Sequence, residues 1–376
     1  MSITDLFSKQ TPPRDAAISR IPGKLFISGE YAILKEKQTA ILVAVDQYLT
    51  CRVSGLDQFP CEIHSDYGNL NTLIITFNDK QIDNLSTIPS EWAFVYEGLK
   101  VAYEVLIHFG ITLRPFHMDI RSDLAHQNGR KYGLGSSGAV TVAVIKAFLK
   151  FHGLLINTPL TLFKLAVLAT LRQGSNGSMA DLATICTGGW VYYQTFDHHQ
   201  IYKWIHDSTS LEDWLCQDWP DLKIESLQVP DEYKLLIGWT GTPASTQSLV
   251  SQLKALISED QFMFDGFCTE MRNLVPQLKR ALITKNGSDV CYLLEKNHHL
   301  LKQLSEYYQL PILTPQLNQL VEDAQYFDAI AKLSGAGGGD CGIAITIDPV
   351  SESQIKERWQ EHQIVPLDFK VAHSVF

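Results

Sequence analysis

Residues 133–153 read GLGSSGAVTVAVIKAFLKFHG, and the sense given to this stretch decides the fold. Gly133 and Gly135 allow a tight turn and a close approach by a neighbour. The run Gly133, Leu134, Gly135, Ser136, Ser137, Gly138 then opens directly into AVTVAVIKAFLKFHG, which is apolar nearly all round and predicts a buried helix. Open N–H groups and the positive end of the helix dipole attract phosphate at such a start, and serine hydroxyls can ligate magnesium. Because 133–138 also satisfies G-x-G-x-x-G, a dinucleotide site is the first alternative. That reading needs a ribose-binding acid about 20 residues on, and no Asp or Glu lies between Asp123 and Asp181. It also needs an apolar strand before the glycines, whereas AHQNGRKY is a polar loop. A phosphate cradle and a serine-capped helix after a glycine turn remain.

The same acid-free stretch holds Arg130, Lys131, Lys146, Lys150, Lys164 and Arg172, so a chain of net charge -10 keeps one locally positive segment. Charge alone leaves two readings open: buried helix with solvated lysines, or a site for a polyanion such as ATP. The acidic total argues against a nucleic-acid binder. Seven scattered cysteines without a Cys-x-x-Cys pair suggest neither a zinc knuckle nor a disulfide framework and fit a reducing cytoplasm. The opening MSITDLFSKQTPPRD lacks a signal-peptide core and no apolar run is long enough for a bilayer, so a cytoplasmic protein with no membrane partner is expected.

A length of 376 residues predicts two domains. Residues 1–15 read as a mobile tail or a packed-on arm, 16–200 as the first domain and 201–376 as the second, with the boundary in the Asp- and Trp-rich IHDSTSLEDWLCQDW. KLFISGEYAIL and AILVAVDQYLTCRVSG read as strands joined through Gly29. The stretch 90–110 predicts a helix capped by Ser90 and stopped by Gly110. After the boundary come a strand at YKLLIGWT, a helix from Ser245, and helices over 262–281, 287–308 and 314–325. Strands mixed with segregated helices predict α+β in both halves.

Further segments could carry chemistry. LSGAGGGDCGIAITI pins Gly335, Ala336, Gly337, Gly338 and Gly339 between two strands, unlike a free linker. GKLFISGEYAIL places Lys24 at a strand start, and GSNGSMADLA brings Ser178 and Asp181, the first acid after the acid-free stretch. Ser245 and Thr246 stand at a helix start, either as plain caps or as a second anion site. Glu295-x-x-His298 occurs once, where a di-iron bundle needs it twice, so no bound transition metal is expected.

Taken in order, GKLFISGEYAIL, GLGSSGA and SGAGGGDCGIA resemble the three signature motifs of the GHMP kinases. The resemblance implies an N-terminal domain like ribosomal protein S5 domain 2, a ferredoxin-like C-terminal domain, and ATP with Mg2+ bound between them. It implies that Ser136 and Ser137 meet the phosphates and magnesium, that 335–339 closes the other side, and that Asp181 is the catalytic aspartate. GSMADLA, GWTGTPAST and GGGDCG resemble the branch that phosphorylates 5-phosphomevalonate; mevalonate kinase, another GHMP kinase, or an ATP-binding sensor without catalysis are the alternatives. For that reaction Lys24, Arg130 and Lys131 are the candidate cations, and Ser178, Ser245 and Thr246 the candidates for holding the acceptor. One departure is that LTLFKLAVLATLRQG lacks the magnesium-binding Glu many relatives carry there. A monomer or homodimer is expected.

Overall fold

The computed structural model describes residues 2–11, 13–66, 72–77, 82–83, 88–126, 129–175, 177–206 and 210–373. The two strands expected around Gly29 are present as Ala16–Ser28 and Thr39–Gly55, paired antiparallel with Lys24 opposite Ala44. The pairing breaks register between Pro22 and Gly23, just before Lys24, the kind of irregularity that re-aims a side chain. Thr39–Gly55 is long enough to take further partners. Trp190–Gln194 joins its first half and Phe116–Ser122 its second, and an eight-stranded sheet grows outward from them.

Four helices cover one face of this sheet: Ala93–His108, Ser136–Phe151, Pro159–Arg172 and Ala180–Thr187. Ser136–Phe151 lies in the middle and is buried on nearly every side, as its composition predicts. Its Phe148 meets Phe116 of the sheet edge-on at 5.2 Å between ring centroids. Aromatic pairs in that geometry add to the burial of their area.

The second sheet is antiparallel and runs Ile330–Leu333, Cys341–Thr346, Lys234–Trp239, Val365–Leu367 across its width. The chain enters at Lys234–Trp239 and passes through four helices, Thr246–Glu259, Phe262–Ile283, Gly287–Tyr307 and Pro315–Gln325. It forms the hairpin strands on either side of the glycine loop, then the helix Pro349–Glu361 and the last strand. That β-α-β-β-α-β order is the ferredoxin-like arrangement, so the α+β expectation holds in both halves.

Several expectations are sharpened or corrected. Of residues 1–15, 2–11 form an arm: Phe7–Lys9 pairs with Leu154–Ile156, and Ile3, Leu6 and Phe7 are buried. Ser90 is not the cap of its helix; it starts a short 3-10 turn, and the α-helix begins at Ala93. The segment expected to be a surface connection, 205–219, begins with the end of the helix His198–His206 and contains the helix Leu211–Cys216, with 207–209 outside the described residues. Lys223–Leu227 then adds to the first sheet beside Trp190–Gln194, so that sheet continues past residue 200 and the crossing to the second lies between 227 and 234. At the other end of the chain, Lys370 and Ala372 return to the first sheet and bond Asp46 and Ala44. No helix among the described residues is long and apolar enough to cross a membrane.

His152 closes the central helix and shows how tightly it is built in. It is 3% exposed, its Nδ1 lies 2.9 Å from the Phe148 carbonyl, and its Nε2 accepts from the Arg114 N–H at 3.2 Å. Both ring nitrogens are therefore satisfied only when the imidazole is neutral, and burial pulls its pKa down to about 4. Because the folded value lies below the unfolded one, this site's stability is present above about pH 6.5 and is lost as pH falls towards 4, by up to about 3 kcal/mol. In urea unfolding, His152→Gln is expected to lose less stability than wild type between those two pH values; an identical pH slope would contradict the assignment.

Candidate active site

The site is assembled where the strand carrying Lys24 meets the loop between Ile330–Leu333 and Cys341–Thr346, and three glycines of GLGSSG make room for three different charged side chains. A β-carbon on Gly133 would collide with the Asp340 carboxylate, and one on Gly135 would lie 3.1 Å from Lys24 Cε. One on Gly138 would lie 3.1 Å from Asp181 Oδ2. Gly133 and Gly135 also hold φ of 83° and 82°, in the left-handed region, which side chains avoid. The pattern thus serves close approach by Lys24, Asp181 and Asp340 around the start of Ser136–Phe151, whose first-turn N–H groups have no partner within the helix.

Lys24 is the centre of this group. Its backbone N–H donates to the Leu134 carbonyl at 3.0 Å and its Nζ to the Gly133 carbonyl at 3.2 Å. Burial pulls its pKa below the ordinary lysine value, and the Asp181 and Asp340 carboxylates oppose that shift. Asp340 is affected in the reverse sense. Burial raises its pKa, while the Ala244 N–H at 3.0 Å, Lys24 and Lys131 hold it back. Asp181 lies in the first turn of Ala180–Thr187, where the helix dipole favours a carboxylate.

The predicted residues fall into distinct places. Ser136 and Ser137 are half-buried at the helix start beside Asp181 and Lys24. Ser178 precedes the turn to Asp181, its hydroxyl accepting from the Ala180 N–H at 3.4 Å and its carbonyl from the Tyr193 hydroxyl. Arg130 is exposed and donates to the Gly241 carbonyl at 3.1 Å, across to the second lobe. Ser245 caps the helix Thr246–Glu259 by accepting from the Ser248 N–H, and Thr246 is exposed beside it. Of the wider positive segment, Lys150 bonds the Ile18 carbonyl, Lys164 the Leu215 carbonyl and Arg172 the Glu104 carboxylate, so these three serve the fold. Gly337, Gly338 and Gly339 pack against Ile312, Leu249 and Thr242 of their own lobe, while Gly335 faces open space.

What holds that second loop against the first lobe was not visible in the sequence. Lys332, 1% exposed, donates to the carboxylate of Glu30, 2% exposed, and to the Leu333 carbonyl at 2.6 Å. The Tyr31 hydroxyl donates to the Ala336 carbonyl, and the Phe26 N–H to Ser334 Oγ at 2.9 Å. Residues 26–31 of the first lobe thereby grip 332–336 of the second. Asp340 was missed as well; its signal was the single acid inside a glycine loop.

Residues 94–189 match the family described as GHMP kinases N terminal domain, and 277–364 that described as GHMP kinases C terminal. A phosphomevalonate kinase of Streptomyces sp. (strain CL190) is 33% identical over 93% of this chain and 96% of its own. The chain belongs to the phosphomevalonate kinase family of the GHMP kinases. The Streptococcus pneumoniae phosphomevalonate kinase in complex with phosphomevalonate and AMPPNP superposes with a TM-score of 0.82 at 33% identity, covering 94% of this chain and 99% of that one. A mevalonate kinase of Thermococcus sibiricus is more distant, at 25% identity over 89% of this chain and 90% of its own. Membership in the phosphomevalonate kinase family agrees with the reading of GSMADLA, GWTGTPAST and GGGDCG.

Removing one partner of a buried ion pair leaves an uncompensated charge, at a cost of about 3–5 kcal/mol. Lys332→Met is expected to lose stability on that scale in urea unfolding, and adding Glu30→Gln is expected to recover part of it. Strictly additive losses would show that the two side chains act independently.

Proposed function

We propose that this chain transfers the γ-phosphoryl group of ATP to the phosphate of 5-phosphomevalonate, releasing ADP and 5-diphosphomevalonate. The observation that carries the proposal is the convergence of Lys24, Asp181 and Asp340 on the glycines that open Ser136–Phe151. An acceptor oxygen attacks the γ-phosphorus, and the bond from that phosphorus to the β,γ-bridging oxygen breaks. The second pKa of a phosphate monoester is about 6, so the nucleophile is already largely ionised near neutral pH and needs no strong base. The harder task is to bring two anions together, which calls for positioning and fixed positive charge.

Lys24 supplies that charge where donor and acceptor phosphates meet, and the open N–H groups of the helix start hold the nucleotide phosphates. Asp181 keeps Lys24 charged and oriented rather than acting chiefly as a proton acceptor; its electrostatic pull on the Lys24 ammonium supports this. Lys131 offsets Asp340, and Arg130 holds its loop to the second lobe. Ser178, Ser245 and Thr246 are the proposed acceptor-side hydroxyls. Hydroxyl oxygens at the start of Ser136–Phe151 and the Asp181 carboxylate that comes against Gly138 fit a hard cation: Ser136, Ser137 and Asp181 would hold Mg2+ entering with ATP. Bound there, it neutralises phosphate charge. The helix Pro159–Arg172 offers no carboxylate to add to the set. Seven unpaired cysteines support a reducing, cytoplasmic setting, with a monomer or homodimer as the proposed state.

Coupled ADP release measured with phosphomevalonate, mevalonate, homoserine and galactose tests the acceptor. Turnover is expected with phosphomevalonate alone, and no release with any acceptor would overturn the kinase reading. Lys24→Ala and Asp181→Asn are each expected to lower turnover about 100- to 1,000-fold, the scale for losing one fixed electrostatic contact; near wild-type rates at saturating ATP, magnesium and acceptor would remove the residue from the site. Because burial lowers the Lys24 pKa, its charge is lost as pH rises at values below the ordinary 10.4. The alkaline fall of kcat/KM for the acceptor is therefore expected to begin early, and Lys24→Arg, whatever its absolute rate, to move that fall upward.

A further inference from the structure

The outer face of the first sheet carries a cluster that this reaction does not use. Glu62 and His64 lie two residues apart on the strand Cys61–Ser65 and so share a face. The neighbouring strand Phe116–Ser122 runs parallel to it with His117 opposite Glu62. Cys61, Ile63, Phe116 and Met118 turn inward and are fully buried, leaving Glu62, His64 and His117 half-exposed on the other face. Glu62 Oε2 lies 3.7 Å from His117 Nδ1 and 3.9 Å from His64 Nε2, and one ligand atom from each residue falls within 4.8 Å of the others. The two imidazole rings are 4.8 Å apart between centroids. On the far side of His64, its Nδ1 is hydrogen-bonded to Thr72 Oγ1 at 3.2 Å, on the next strand of the sheet.

We propose that Glu62, His64 and His117 bind one borderline divalent cation of the zinc type, through two imidazole nitrogens and one carboxylate oxygen. Zinc–nitrogen and zinc–oxygen bonds of about 2.0–2.2 Å in a tetrahedron set donor atoms roughly 3.3–3.5 Å apart. The observed separations from Glu62 are 3.7 and 3.9 Å, so small side-chain rotations close the site while the paired strands stay in place. Two residues on one strand and one directly across from them form a three-legged face, and its open side admits a water as the fourth ligand. With His64 Nε2 on the metal, Nδ1 carries the proton and donates to Thr72, which fixes the ring, as outer partners of metal-bound histidines do. Imidazole donors select zinc, nickel or copper over magnesium, so the magnesium that accompanies ATP does not compete here. A bound ion would join the two strands that carry its ligands, and the rival reading is a pair of surface histidine–carboxylate contacts and nothing more.

The test is Zn2+ titration of the full chain, treated with chelator and carrying Cys291→Ser, because Cys291 is an exposed thiol that would add its own zinc affinity. Retained metal, thermal midpoint and ADP release are read together. One Zn2+ per chain, a raised midpoint and unchanged ADP release are expected. His64→Ala, His117→Ala and the shape-conserving Glu62→Gln should each weaken binding at least tenfold, and Thr72→Val about tenfold, the lower end for an outer partner. Zinc retention that is the same in the His64→Ala/His117→Ala double variant as in the parent, or absent from the parent, overturns the proposal. If an alanine variant unfolds, Glu62→Gln alone decides it, since that change keeps the side-chain volume and removes the anionic ligand.

Discussion

The ion pair between Lys332 and Glu30 is the contact on which the rest of the site depends. Two opposite charges are taken out of water in a place where neither tolerates the loss of the other. One stands in the turn after the strand that carries Lys24, the other immediately before the glycine loop. The two lobes therefore cannot drift apart at this point without breaking the pair. Burial pulls the Lys332 ammonium below its ordinary pKa, and the Glu30 carboxylate opposes that shift.

Around that anchor the glycines acquire a second meaning. A Gly-rich loop at a helix start is usually explained by close approach of phosphate. In this chain, Gly133, Gly135 and Gly138 are also the places where Asp340, Lys24 and Asp181 come against the backbone. The same missing side chains that leave space for a nucleotide let the charges that would act on it pack close together. Charged groups fixed before the ligand arrives need little rearrangement at the moment of reaction, which is the physical basis of electrostatic catalysis.

The parts of this architecture that were legible in the sequence are those governed by local rules. The helix at 136–151 followed from its continuous apolar run, the paired strands around Gly29 from their composition, and the loop at 335–339 from glycines held between strands. Long-range partners were not legible. Glu30 and Lys332 are separated by 302 positions, and each alone resembles an ordinary surface charge. For Lys164 and Arg172 the acid-free stretch left a structural role and an anion site equally open, and in space they meet the Leu215 carbonyl and the Glu104 carboxylate. The stretch 205–219 reads as a connection because it is rich in Asp and Trp, yet it holds the helix Leu211–Cys216, and Trp214, Leu215 and Trp219 pack inward.

The return of the chain's end to the first sheet links the fold to the order of synthesis. Val371 bridges Val45, the Ala372 N–H donates to the Ala44 carbonyl, and the Gly189 N–H donates to the Ala372 carbonyl. Backbone groups among the first fifty residues are thus completed by residues 370–372, made much later in synthesis. A growing chain can form the helices and most strands of its first lobe early, but the seam at Ala44–Asp46 waits for residues 370–372. The first sheet is therefore finished by a segment 324 positions away along the chain, beyond every strand of the second sheet.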